Sequence, residues 1–334
     1  MFVLDTSGSM STSYQVDDCY LSQMLIKRRR KQNSQFNRDY YNSPPYFGSS
    51  RFHQISRLEC VIMGVEAQLK NLKEQQPNTR VSIVTFDAEV TVIGDGSQDP
   101  LILTGDKLND FDRLMEFGRT YASTAKKLKP IKESYETLLE QLCLLEEKGA
   151  TSLGPALTTC LGMIQQLECR GNIVIATDGH ANNGIGSLEI IDDRSARGVD
   201  YNKEIQRVSK FYVDLADLMK KTGTAVSILR IKGSSDCKLE VLSILAEKTA
   251  GSIDIVDPTM LREHFEKLLN DKVVATQGTI RIVSCAAVMF RAALKLDPPG
   301  SNNNKMEEEN KFTSVDIDVG NITVSEIIAP PNII

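Results

Sequence analysis

From Leu153 to Asn270 the chain alternates between two kinds of segment, and this rhythm limits its fold more than any other feature. Leu153 to Leu167, Tyr201 to Lys221, Leu239 to Thr249 and Thr259 to Asn270 read as helices. Between them, Asn172 to Ala176, Thr224 to Ile231 and Ile253 to Val256 are short runs rich in β-branched residues, which read as strands. Strands separated by helices imply βαβ units, because parallel neighbours need a long crossover. The predicted fold is α/β: a doubly wound, mostly parallel sheet with helices on both faces. In such a sheet, ligands bind where loops leave the carboxyl ends of the strands.

The first half fits the same plan. Met1 to Leu4 is an apolar run that delivers Asp5 to the end of a buried strand. That strand is short for a central one, which points to a chain that begins inside a longer parent. A helical stripe opens at Leu58 and continues through Val61, Ile62, Val65, Leu69 and Leu72. Val81 to Phe86 is the next strand, Val90 to Ile93 and Leu101 to Leu103 suit an edge hairpin, and Asn109 to Glu147 is helical with an interruption at Pro130. After Asp271 the period changes from helical to alternating, over Gly278 to Ser284, Val288 to Leu294 and Phe312 to Ile328. The expected division is a domain over 1–271 and a small, β-rich partial sandwich over 272–334, whose open edges need cover.

Residues 14–55 interrupt this order. They hold seven Lys or Arg against three Asp or Glu, and eight of the chain's twenty Phe and Tyr. They read as an insertion. The block Lys27, Arg28, Arg29, Arg30, Lys31, with Tyr40, Tyr41, Tyr46 and Phe47 nearby, is a candidate surface for acidic lipid headgroups, nucleic acid or an acidic protein; its competing reading is a solvated flexible loop. The whole chain carries a net charge of -5, so everything outside the insertion is acidic, which argues against a nucleic-acid-binding surface at large. No apolar run approaches the roughly 18 residues of a membrane helix, and no secretory leader opens the sequence, so a cytoplasmic location is expected. Seven scattered cysteines without a C-x-x-C pair form neither a disulfide framework nor a zinc ribbon.

Oxygen side chains gather at three predicted loops: Asp5-Thr6-Ser7-Gly8-Ser9, Gly149-Ala150-Thr151-Ser152 and Thr177-Asp178-Gly179. Carboxylates and hydroxyls without cysteine form a hard donor set suited to Mg²⁺, Ca²⁺ or Mn²⁺ rather than zinc. Asp5, Ser7 and Ser9 lie two apart, so an extended turn would aim all three one way while Gly8 admits a close backbone. Read singly, Thr151 or Ser152 is a helix cap and Asp5 an acceptor of backbone amides. His180 is read as a solvated loop histidine.

Together, the D-x-S-x-S run at Asp5, Ser7 and Ser9, the later Thr151 and the later Asp178-Gly179 resemble the metal-ion-dependent adhesion site of von Willebrand factor A (vWA) domains, over about residues 1–270. The resemblance implies that Asp5, Ser7, Ser9 and Thr151 hold the ion directly or through water and that Asp178 completes the shell through water. It also implies an open coordination position, filled by an Asp or Glu of a protein partner, whose occupation can couple to a shift of the last helix, Thr259 to Asn270. From Tyr201 onward the layout is similar to the trunk of the inner COPII vesicle-coat subunits, where a vWA-like domain joins a β-sandwich. Those subunits generally do not keep a complete ion site, and this chain lacks their zinc ribbon, so that similarity implies architecture rather than a coat role. Circularly permuted Ras-like proteins also carry a vWA-type region, but no G-x-x-x-x-G-K-[ST] loop occurs here and nucleotide binding is not expected.

The resulting expectation is a non-catalytic, cation-dependent protein interaction module of an intracellular adaptor or scaffold. A haloacid-dehalogenase-type phosphatase would need a second Asp two residues after Asp5, where this chain has Ser7; an unshifted hydroxyl cannot serve as its acid and base. A serine hydrolase lacks its G-x-S-x-G elbow.

Overall fold

The computed structural model describes residues 1–17, 24–29, 52–124, 128–169, 171–179, 181–188, 201–232, 239–270, 273–283, 290–291, 311–312 and 314–323. They divide into two compact units, Met1–Asp271 and Lys272–Ile334.

The first unit is built on a seven-stranded sheet. In chain order its strands are β1 (Phe2–Asp5), β4 (Ile83–Phe86), β5 (Val90–Gly94), β6 (Leu101–Leu103), β7 (Asn172–Thr177), β8 (Ala225–Ile231) and β9 (Ile253–Val256). Two more strands, β2 (Ser13–Asp17) and β3 (Phe52–Ser56), form a separate antiparallel pair. The sheet order is β6-β5-β4-β1-β7-β8-β9, parallel from β4 through β9 and closed at the other edge by the antiparallel β4-β5-β6 meander. From β1 the chain goes to β4 on one side and later to β7 on the other. The crevice at the carboxyl ends of β1 and β7 is therefore the topological switch point.

Pleating divides the core. Phe2 and Leu4 face a layer made by helices α1 (Arg57–Gln75), α3 (Ile131–Cys143) and α7 (Leu261–Asn270). Val3 faces the opposite layer, made by α2 (Phe111–Thr124), α4 (Leu153–Leu167), α5 (Tyr201–Lys221) and α6 (Leu239–Thr249). Phe2, Val3 and Leu4 are all nearly fully buried. Each contributes about 1.5 to 3 kcal/mol, which fixes β1 in the sheet centre although it has only four residues.

The predicted segments differ from the observed ones mainly at their ends. The first helix starts at Arg57 because Ser56 caps it: its hydroxyl accepts from Glu59 N at 3.1 Å, and the Glu59 carboxylate accepts from Ser56 N at 3.0 Å. The last helix starts at Leu261, after a 3₁₀ turn at Pro258–Met260 in which Thr259 N donates to Asp257 Oδ1 at 3.1 Å. The stem of the insertion is ordered: β2 pairs with β3, and residues 24–29 are helical.

In the second unit, β10 (Val273–Val283) pairs antiparallel with β13 (Ser314–Thr323), and β11 (Phe290–Arg291) pairs with β12 (Lys311–Phe312). Register shifts interrupt the longer ladder at Ala275 and Gly278.

Candidate metal centre

The five donor residues reach the switch point from three loops. Asp5 ends β1 with its side chain fully buried. Its Oδ1 accepts from Ser7 N at 2.8 Å and its Oδ2 from Thr177 Oγ1. Beyond Ser7 the chain is not extended as expected; it tightens into a 3₁₀ turn over Gly8–Ser11. That turn brings Ser7 Oγ and Ser9 Oγ to 3.1 Å, and Ser9 Oγ donates to Asp178 Oδ1 at 2.6 Å. Gly8 N donates to Gly149 O at 3.1 Å, which ties the first loop to the second.

Thr151 is fixed through its backbone. Its N–H donates to Asn182 Oδ1 at 2.7 Å and its carbonyl accepts from Asn182 N at 3.0 Å. Ser152 takes the N-cap position of α4, but its hydroxyl donates to Asp87 O at 2.6 Å and makes no cap bond. Gly149, at φ +74°, turns this loop against Ala88, where a β-carbon would meet backbone and side chain at about 3 Å.

Gly179 matters for what it lacks. A methyl group there would stand 3.7 Å from Ser9 Oγ and 3.9 Å from Thr151 Oγ1, so the glycine leaves space beside both hydroxyls. Ser7 Oγ, Ser9 Oγ and Asp178 Oδ1 form a hydrogen-bonded run at 3.1 and 2.6 Å, bonds that a cation held among them would replace. These hydroxyl and carboxylate oxygens are of the hard type that suits a small divalent cation.

Burial pushes the Asp5 carboxyl up to about 6; the Asp178 charge adds to this, while the bonds from Ser7 and Thr177 oppose it. Among the described residues, no cationic side chain contacts the Asp5 carboxylate. At Asp178 one does. Its Oδ2 accepts from Arg57 Nη1 in a buried ion pair. Arg57 Nη1 also donates to Ser9 O at 3.3 Å, and Arg57 Nε donates to Tyr14 OH at 3.0 Å. Two carboxylates alone would bring a divalent ion close to neutrality. With Arg57 in contact, they and the guanidinium leave one net negative charge instead of two.

Arg57, Tyr14, Thr177 and Asn182 are the site residues that the donor pattern alone does not reveal. A signal existed for Arg57: Ser56-x-x-Glu59 marks a helix start, which puts a cation in the first turn, where the helix dipole disfavours it. Such a residue needs an anion.

The basic block is partly consumed inside the fold. Arg28 is buried, donates to Leu145 O at 2.5 Å and lies 3.6 Å from Glu59, so it is not part of any surface. Arg29 pairs with both Glu59 oxygens, at 2.9 and 2.7 Å. Lys27 is exposed. Arg30, Lys31, the four aromatic residues from Tyr40 to Phe47, and His180 lie outside the described residues.

The Sec23/Sec24 trunk domain model matches residues 50–273. The chain belongs to the Sec23/Sec24 trunk family. It is 31% identical over 284 residues to circularly permutated Ras protein 1 of Dictyostelium discoideum, covering 84% of this chain and 30% of that protein. The trunk chain therefore spans under a third of that relative's length. Similar solved structures include a von Willebrand factor type A protein from Catenulispora acidiphila (12% identity, TM-score 0.44, 96% of this chain and 54% of that one). The human COPII-coat protein Sec24c is another (15% identity, TM-score 0.45, 79% of this chain and 32% of that one). No helix among the described residues is long and apolar enough to cross a membrane.

Proposed function

We propose that Met1–Asp271 is a non-catalytic, divalent-cation-dependent protein interaction module of an intracellular, cytoplasmic adaptor or scaffold. Asp5, Ser7, Ser9, Thr151 and Asp178 would hold the ion, with Mg²⁺ favoured and Mn²⁺ or Ca²⁺ as substitutes. The supporting observation is the run Ser7 Oγ, Ser9 Oγ, Asp178 Oδ1, at 3.1 and 2.6 Å, at the rim of the switch point. The ion, when bound, supplies an exchangeable coordination position for a carboxylate oxygen of a partner's Asp or Glu. The chain's own part is orientation: Ser7 N and Thr177 Oγ1 fix both Asp5 oxygens, Asn182 fixes Thr151, and Gly179 keeps the rim open. Catalysis is a poorer reading of the same atoms, because Ser7 stands where a phosphatase of this geometry needs its proton-transferring carboxylate.

A ligand that binds only the native state raises the melting temperature. Millimolar Mg²⁺ is expected to raise that of the full chain relative to EDTA, and to do nothing for Asp5→Asn. A partner captured by immobilised chain should be released by EDTA; full retention under chelation refutes metal-mediated recognition.

A second reading follows from the family match over residues 50–273. The unit would then serve as an architectural trunk in a vesicle-coat or Ras-related assembly, making contacts through its helices. In that case Asp5→Asn leaves assembly unchanged.

A further inference from the structure

We infer that Arg57 is a resident counter-cation of the ion site, held in place by Tyr14, which weakens the site's hold on a divalent ion and makes the loaded site dependent on an anionic ligand. The inference rests on the ion-site reading above and extends it to a residue outside the donor set.

Arg57 is the first residue of α1, and its side chain is only 8% exposed, so water screens its charge poorly. Asp178 stands between this charge and the hydroxyl rim: Oδ2 takes Arg57 Nη1, and Oδ1 takes Ser9 Oγ. The guanidinium reaches round to the Ser9 carbonyl as well, so it borders the first and third loops together. Its other arm is tethered. Nε donates to Tyr14 OH, which itself donates to Lys232 O at 3.3 Å, and the guanidinium carbon lies 5.8 Å from the Tyr14 ring centre. The Arg57 backbone amide is held by Thr12 O at 3.0 Å. Tyr14 lies on β2 opposite Ile55 on β3, so the insertion's stem delivers both parts of the device to the rim.

The consequence is electrostatic. Asp5 and Asp178 alone would neutralise a divalent ion. With Arg57 paired to Asp178, the loaded site keeps one positive charge in excess, and an incoming carboxylate cancels it. Ion and anionic ligand therefore bind cooperatively, each raising the other's affinity by the same factor.

The test is isothermal titration of Mn²⁺ into the full chain and its variants, with and without acetate as the carboxylate probe. Arg57→Gln is expected to bind Mn²⁺ about tenfold more tightly or better, the effect of removing a unit charge one carboxylate away from a divalent ion. Arg57→Lys keeps the charge and is expected to stay within about threefold of the parent. Acetate is expected to tighten Mn²⁺ binding in the parent and to lose most of that effect in Arg57→Gln. Should Arg57→Gln fail to fold, Tyr14→Phe, which loosens the tether, is expected to raise Mn²⁺ affinity about two- to threefold. Equal Mn²⁺ affinity in the parent, Arg57→Gln and Tyr14→Phe, with binding abolished in Asp5→Asn, overturns the inference and leaves the ion site standing. Absence of saturable Mn²⁺ binding in all of them overturns both.

Discussion

Asp5 ends β1 and Asp178 follows the last residue of the neighbouring parallel strand β7; they are equally hidden, at 0% and 1% exposure, yet the fold compensates their charges in different ways. Among the described residues, Asp5 receives neutral donors, the Ser7 amide and hydroxyl and the Thr177 hydroxyl. Asp178 receives a guanidinium. The difference teaches that a list of donors does not describe an ion site. On the proposed function, an arriving cation would gain most at Asp5, whose charge meets neutral donors, while at Asp178 it would meet a charge already shared with Arg57.

The largest effect should come from breaking the compensated side. Asp178→Ala leaves Arg57 buried without its anion, and a half-broken buried pair costs about 3 to 5 kcal/mol. Urea unfolding in EDTA measures this. A loss below about 1 kcal/mol would mean that Arg57 finds water or another acceptor, and the contrast with Asp5 would vanish.

The uncompensated side predicts a pH effect of opposite character. Without an ion, Asp5 titrates at about 6 in the folded protein against 3.8 in the unfolded chain. Between these values the native state binds the proton more strongly, so Asp5's contribution favours folding at low pH and declines as pH rises through 6. Relative to Asp5→Asn, which cannot titrate, the parent should lose about 2 kcal/mol between pH 4 and 7.5 in EDTA. A difference between the two proteins that stays constant over this range would show that Asp5 is not desolvated.

A smaller effect tests how Arg57 is presented. Ser56 holds the start of α1 through its capping bond to Glu59 N and donates to Glu147 at 2.6 Å. Ser56→Ala should cost about 1 kcal/mol in the same unfolding measurement. No loss at all would mean that the β3-α1 junction is fixed by packing alone.

The same contrast explains what could be read without coordinates. The strands and helices from Leu153 to Thr249 were legible because apolar spacing reports directly on which face is buried, and β7, β8 and α4 to α6 lie within a residue of the expected ranges, whereas β10 begins at Val273 rather than Gly278. Ends set by polar caps were not, since Ser56 and Asp257 contribute nothing to an apolar stripe. Asp5, Ser7, Ser9, Thr151 and Asp178 stand out as oxygen side chains from residue type and order alone, and the structure brings Ser7, Ser9 and Asp178 into one hydrogen-bonded run. The Arg57–Asp178 pair spans 121 residues and follows from the tertiary path of the insertion's stem, which local pattern does not encode. Arg28 illustrates the same limit: a run of five cations reads as surface, but one of them is buried against Glu59 and the Leu145 carbonyl.

The most direct test is anomalous scattering from crystals of the full chain soaked in Mn²⁺. The structure leads us to expect one strong peak within bonding distance of Ser7 Oγ and Ser9 Oγ, beside Thr151 Oγ1 and absent from Asp5→Asn crystals. A guanidinium group of Arg57 in that place, with no manganese peak at any soak concentration, would contradict it.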